Sequence, residues 1–322
     1  MASRFLLDRQ DRLRMAFDGP QAKAALNGLL TNEVIALTPG GGQYAAALTA
    51  KGRVLALCRV MDRGDDLLVD TEATSAAGFV AMIRKYVNPR VARYTDLTET
   101  TGCLGVRGEG AAAALAAWGA IAVGTLDALP ALAGCWATRG ADRLWVIRSR
   151  DTSTPGFDCI GAPAVIAALH TTLMHAGWPM ASPSQAIRER IEAGIPAWGV
   201  EMTDETIAQE ACLDTLGAIH FAKGCYTGQE VVARIHFRGH VNRLLRWIES
   251  AAPLPVGAVV VDAEGHEIGD VRSSVVRERG DAIGIAIGIA MVRREVPPGS
   301  AVLVREESGQ STPAILRELG VT

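Results

Sequence analysis

Between residues 11 and 97 the chain alternates between strand-like and helix-like runs in an order that few folds can hold. Asp18-Gly19-Pro20-Gln21 opens a helix, with a cap residue, an early proline and an acceptor three positions after the cap, and the helix runs to about Leu30. After the loop Pro39-Gly40-Gly41-Gly42, strand-like runs at 43–49 and 53–61 are joined by Ala50-Lys51-Gly52. A third run, Asp66 to Asp70, follows the turn Arg63-Gly64-Asp65, and a second helix from about Ser75 to Val87 stops at Asn88-Pro89. This β-α-β-β-α-β order predicts a ferredoxin-like α/β unit. Residues 100–176 carry a similar alternation, with strands at 102–107, 134–138 and 143–149 and helices near 110–118 and 163–176. The triple glycine is followed by neither a helix start nor Lys-Ser/Thr, so it reads as a flexible loop and not as a phosphate cradle.

Beyond Ile248 the composition shifts. Ala251-Ala252-Pro253-Leu254-Pro255 reads as a linker, and the short strands after it, at 258–261, 267–276, 282–292 and 301–304, predict a small β-barrel. The expected division is therefore 1–98 for the first α/β unit, 99–248 for the second with a helical segment, and 249–322 for the barrel. With 322 residues and 49% hydrophobic content the chain can fill several such cores.

A formal net charge of -3 gives no general attraction to nucleic acid or to an anionic membrane, although a local basic patch is compatible with it. The longest apolar run, Ala282 to Val292, is too short to span a bilayer and is broken by glycines, so it reads as a buried strand. Met1 to Met15 lacks the apolar segment of a secretory signal. Six cysteines, at 58, 103, 135, 159, 212 and 225, form no CxxC pair and no zinc-ligand spacing, so no metal site is expected. They read as reduced thiols of a cytoplasmic protein, or of the mitochondrial matrix in a eukaryote.

The densest chemistry lies in Lys223-Gly224-Cys225-Tyr226-Thr227-Gly228-Gln229-Glu230. Gly224 and Gly228 supply backbone freedom at the ends of a tight loop. Thr227 and Glu230 have the spacing of a capping box, which predicts a helix from about Gly228 to His236 with Gly239 beyond it. Cys225 would then precede a helix N-terminus, where the helix dipole and the Lys223 cation both favour a thiolate. The bland reading makes Cys225 a small buried hydrophobe. Its flanking glycines and lysine favour the chemical one.

The run KGCYTGQE followed by Arg234 resembles the signature of the YgfZ-like folate-binding proteins, which assist iron–sulfur cluster assembly or repair and are relatives of the glycine-cleavage aminomethyltransferase. The resemblance extends over most of the chain. Leu30-Thr31-Asn32-Glu33-Val34 is similar to the family's LTNDV segment and Lys51-Gly52-Arg53 to its KGR turn. Arg190, Glu192, Gly194 and Pro196, with Trp198 after them, resemble its R-x-E-x-G-x-P segment. Gln209 to Asp214 resembles P-x-E-x-x-L-D, with Ala208 where proline is commoner.

The resemblance implies an α+β, aminomethyltransferase-like fold, in which two ferredoxin-like units surround a central channel and a small β-barrel closes the C-terminus. It implies tetrahydrofolate or a derivative as cofactor, with the carboxylate of Glu192 on the pterin ring. That role is chemically sound, because a carboxylate can accept neighbouring N–H donors together and an indole such as Trp198 offers an apolar wall. Cys225 and Lys223 become the candidate reactive pair. Arg190, Trp198, Lys51, Arg53, Asn32, Tyr226, Gln229, Glu230 and Arg234 join Glu192 as candidate folate contacts. The implied partners are iron–sulfur proteins or their assembly factors, with neither nucleic acid nor membrane. One departure bears on the reaction: the transferases carry GGIxDD at a turn where this chain reads Lys51-Gly52-Arg53-Val54-Leu55-Ala56. Without those carboxylates to manage a proton or iminium charge, glycine-cleavage activity is not expected. A different folate-dependent aminomethyl- or methyltransferase, or a non-catalytic folate-binding adaptor, stays open.

Overall fold

The computed structural model describes residues 4–279 and 282–320. After a short first strand, β1 (Phe5–Asp8), the N-terminal unit runs β2 (Arg12–Asp18), α1 (Ala22–Leu29), β3 (Gly42–Leu48), β4 (Val54–Asp62), β5 (Leu67–Glu72), α2 (Ala76–Tyr86) and β6 (Arg93–Asp96). Strands β2 to β6 form one antiparallel sheet in the order β3-β4-β5-β2-β6. Alternate residues of β4 explain why it reads as a nearly unbroken apolar run. Ala56, Cys58 and Val60 pack under the helices with Leu26, Phe79 and Ile83, while Met61 faces the other way into a second buried layer. The expected Asp18 cap does not form: Gln21 is the N-cap of α1 and no side chain caps it, because Asp18 is drawn into an ion pair with Arg93.

The second unit comprises β7 (Gly102–Arg107), α3 (Ala111–Trp118), α4 (Val123–Asp127), β8 (Gly134–Arg139), β9 (Asp142–Arg148), β10 (Gly156–Gly161) and α5 (Pro163–His175). Its antiparallel sheet has the order β1-β7-β10-β9-β8, so the N-terminal strand belongs here, with Phe5 opposite Arg107. Leu6, Val106, Leu144 and Phe157 on one face pack against Leu115 of α3 and Leu169 of α5. The two sheets meet through Met61, Leu68, Cys103, Trp145, Ile147 and Ile160. The triple-glycine loop docks at this junction and is not a free loop: Gly134 N donates to Gly40 O at 2.8 Å, and a Cβ on Gly42 would lie 2.1 Å from Leu132 O.

Helix α6 (Pro183–Glu192) starts as its sequence predicts, with Pro183 in the first turn and Ser182 Oγ accepting from Gln185 N at 3.2 Å. An irregular segment then leads to α7 (Gln229–Arg238). Ile195, Met202, Leu213 and Ile219 of that segment share a core with Tyr44 and Leu48 of the first sheet and with Leu245 and Ile289 of the barrel. The barrel itself, β11 (Arg243–Ser250), β12 (Val259–Val261), β13 (Glu267–Arg279), β14 (Ala282–Arg293), β15 (Ala301–Arg305) and β16 (Ser311–Glu318), closes in the order β11-β14-β13-β12-β15-β16. Closure leaves no free sheet edge. The fold class expected from the sequence is the one observed.

Candidate functional site

Helix α7 begins at Gln229, but the capping box is not made. Gly228 is the N-cap, at φ +86°, and no side chain caps the helix. The reason is a close approach of backbones: a Cβ on Gly228 would lie 2.6 Å from Thr49 O. Gly52, at φ +72°, is equally pressed, because a Cβ there would lie 2.9 Å from the side chain of Val231. The Lys51-Gly52-Arg53 turn and the signature loop, far apart in sequence, are thus fitted together at two glycines.

Lys223 holds the other end of the loop. Its Nζ is buried and donates to Asn27 O, Leu30 O and Asn32 O, each at 2.7 Å, where α1 ends and its last carbonyls lack helical partners. Burial pushes this ammonium down to about 8, and Glu33 nearby works in the opposite direction. The lysine faces the end of α1 and also sits over the Tyr226 ring at 5.1 Å. Thr227 N donates to Gly28 O at 3.2 Å, so both sides of the cysteine are tied to α1.

Cys225 is exposed between these ties. Cys58, Cys103, Cys159 and Cys212 are buried and Cys135 is half-buried. Burial pushes the thiols of Cys103 and Cys212 up to about 12, and those of Cys58 and Cys159 up as well, so they stay protonated and inert. Tyr226 is buried beside Cys225, and its phenol is pushed up to about 12 by that burial. Lys51, Arg53, Glu230 and Arg234 are exposed around the loop and Gln229 is half-buried. Asn32 lies beneath them, donating to Tyr44 O at 2.7 Å and Gly217 O at 2.9 Å.

The other candidate folate contacts lie on and after α6. Glu192 accepts from Ser153 Oγ at 2.9 Å and pairs with Arg277 at 2.5 Å, so one carboxylate joins α6, the 149–154 loop and barrel strand β13. Arg190 is engaged elsewhere: it makes a bidentate pair with the fully buried Glu201 at 3.0 Å and donates to Ile195 O. Trp198 N donates to Glu72 Oε2 at 2.6 Å and its indole Nε1 approaches Val54 O at 3.4 Å. Glu192 and Trp198 therefore do not share a partner. Trp198 and Arg190 line a cavity of about 330 Å³ between the two sheets and α6, whose lining does not include Glu192.

Sequence reasoning missed a buried ionic cluster between the sheets. Arg59 binds Asp70 of its own sheet, Nε to Oδ1 at 2.7 Å, and Asp158 of the other at 2.5 Å. Arg12 adds a bidentate pair to Asp70, Arg107 pairs with Asp158, and Asp151 pairs with Arg9. Burial alone would lift these carboxyls. The four guanidiniums outweigh it and hold Asp70, Asp151 and Asp158 below the usual carboxylate range. The available signal was a charge inside an otherwise apolar strand, as in Leu57-Cys58-Arg59-Val60-Met61. Among the described residues, one set of metal-ligand type groups converges, Asp262, Glu264 and His266, at an exposed turn where Asp262 already accepts from the backbone of both partners.

Two facing α/β sheets, a connecting segment packed between the first sheet and the barrel, and a closed six-stranded barrel define the class of aminomethyltransferase-like proteins. The glycine cleavage system aminomethyltransferase T of Bartonella henselae has this fold, with a TM-score of 0.85 over 99% of this chain and 86% of that one at 21% identity. Residues 3–221 match the GCVT N-terminal domain, and the chain belongs to that family. An aminomethyltransferase of Rubrobacter xylanophilus is 28% identical over 301 residues, covering 94% of this chain and 79% of the relative. The tRNA-modifying protein YgfZ of Serratia proteamaculans is 28% identical over 82% of this chain and 75% of its own, and that of Klebsiella pneumoniae 27% identical over 94% and 90%. The likeness to YgfZ read from the KGCYTGQE run is borne out. Among the described residues no helix is long and apolar enough to cross a membrane.

Proposed function

We propose that this chain binds tetrahydrofolate or a derivative and acts through Cys225, in the cytoplasm, as an accessory protein in the assembly or repair of iron–sulfur proteins. The observation that carries the reading is the presentation of Cys225. It is the exposed one of six free cysteines, and its loop is fastened by Lys223, Thr227 and Gly228 to the end of α1 and to the Lys51-Gly52-Arg53 turn. A merely structural thiol would be buried like four of the other five. A thiol set out on a fastened loop can attack an electrophile or serve as a soft donor to a metal.

The donor set suits a folate. Glu192 stands between the second α/β unit and the barrel, its carboxylate partly exposed and its Arg277 partner about half exposed, so a pterin edge with adjacent N–H groups can exchange with that guanidinium. A relative named aminomethyltransferase supports a one-carbon carrier as ligand. Relatives named tRNA-modifying proteins support a role in service of a modification pathway. Iron–sulfur partners rest on the likeness of the signature loop and on the thiol such a role requires. At the two positions where transferases hold carboxylates this chain has Leu55 and Ala56, half-buried and wholly buried apolar residues, which argues against glycine cleavage here.

The test is calorimetric titration of tetrahydrofolate, paired with complementation of a deletion strain assayed for iron–sulfur enzyme activity. Glu192→Ala should weaken folate binding at least about tenfold, the loss of a charge-assisted hydrogen bond. Cys225→Ala should bind folate normally yet fail to restore the enzymes. Absence of folate binding by the wild type, or full rescue by Cys225→Ala, would refute the proposal.

A further inference from the structure

The cavity beside Trp198 has an uncompensated charge. Each of its three guanidiniums is committed to a carboxylate: Arg9 to Asp151, Arg12 to Asp70 and Arg190 to Glu201. Glu72, Asp8 and Asp11 line the same cavity and, among the described residues, none of them has an ion-pair partner; the half-buried Glu72 carboxylate accepts one hydrogen bond, from Trp198 N. Burial raises the Glu72 carboxyl above its ordinary value, although the Arg12 and Arg190 guanidiniums nearby, each held by another carboxylate, pull the other way. The cavity has apolar walls as well. Ile187 and Val200, 44% and 42% exposed, are two of the molecule's exposed large hydrophobic side chains, and both line this space with the half-buried indole of Trp198. Exposed aliphatic groups around a half-buried carboxylate that lacks an ion-pair partner are the features of a ligand cavity, and about 330 Å³ suffices for a small molecule.

We infer that this cavity is a second ligand site, separate from Glu192, that takes a small organic cation: an ammonium or amidinium joined to a flat apolar body, with Glu72 as counter-ion and Trp198 as wall. A carboxylate pairs with an amidinium through two parallel N–H donors, and an indole face attracts a cation. A neutral ligand would leave Glu72 uncompensated, and an anion would be repelled by it.

Benzamidine is a suitable probe, with benzamide as its neutral isostere, titrated calorimetrically into the full chain. Wild type should bind benzamidine saturably and benzamide at least about tenfold more weakly. Glu72→Gln retains an oxygen to accept from Trp198 N, so it should fold normally and lose at least about tenfold in benzamidine affinity. Ile187→Trp, placed on an exposed face of α6 at the cavity, should block benzamidine by filling the space, without reference to Glu72. Both variants should bind tetrahydrofolate as the wild type does. Absence of saturable benzamidine binding, or wild-type affinity in Glu72→Gln, would overturn the site. Parallel loss of benzamidine and tetrahydrofolate in Glu72→Gln would overturn its separateness while leaving folate binding intact as a property of the protein.

Discussion

Lys223 places all three of its ammonium protons on backbone carbonyls, so it acts on the signature loop as a fastener and not as a free charge beside the thiol. Two roles can be told apart by one substitution. Lys223→Met strips the donor from Asn27 O, Leu30 O and Asn32 O in a place closed to water, which should cost about 2–3 kcal/mol in urea denaturation. Hydrogen exchange at Tyr226 and Thr227 should quicken with it. A lysine that merely activated Cys225 would leave stability unchanged on substitution and slow alkylation of the thiol. The importance of Lys223 was legible in the sequence, but its task was not. Its acceptors lie 191 to 196 residues away, and no local spacing announces them.

At the scale of the element, the junction of α7 with the Lys51-Gly52-Arg53 turn depends on which glycine stands where. Gly228 has φ +86° and no room for a Cβ, whereas nothing lies within 4 Å of a Cβ built on Gly224. Gly228→Ala should therefore cost at least about 1–2 kcal/mol from the left-handed backbone alone, with the clash against Thr49 O added. Gly224→Ala should be close to neutral. Thermal unfolding of the pair checks this, and equal losses would mean that the loop needs flexibility and not fit. The sequence presented the two glycines as equivalent, because the neighbour that distinguishes them comes from residue 49. Helices were well legible, since α2, α3, α5 and α6 carry punctuation at their own ends. Strands without it were missed: β1 pairs with a sheet that begins at residue 102, and β10 reads as Gly-Phe-Asp-Cys-Ile-Gly, a glycine-bounded run with a carboxylate in its middle. For the site, the loops that carry Cys225, Lys51 and Asn32 lie together in the fold, through Lys223 on Asn32 O and Val231 against Gly52, contacts that no local spacing announces. Arg190 and Trp198 turned to another cavity, and Glu72 carries no motif at all.

For the whole molecule, the ionic cluster joins the two sheets where apolar packing alone could slide. Asp158 of the second sheet is fully buried, with Arg107 on one oxygen and Arg59 on the other, each at 2.5 Å, and Arg59 continues to Asp70 in the first sheet. A buried charge of this kind is costly to expose singly. Asp158→Asn leaves two guanidiniums short of a counter-ion and should destabilise the chain by about 3–5 kcal/mol near neutral pH. The pH dependence has a definite sign. Burial would raise the Asp158 carboxyl, but Arg107, with Arg9 and Arg59, outweighs it and holds the group at about 2, below its ordinary value of 3.8. Because the unfolded state binds the proton first, the stabilisation is fully present above 3.8 and is lost as the pH falls through about 2. The difference in urea midpoint between wild type and Asp158→Asn should accordingly be constant from neutral pH down to about 4 and narrow below it. A difference that stayed constant to the acid limit would mean that Asp158 joins the sheets by hydrogen bonding that an amide or a carboxylic acid supplies equally, and that its charge contributes nothing to the junction.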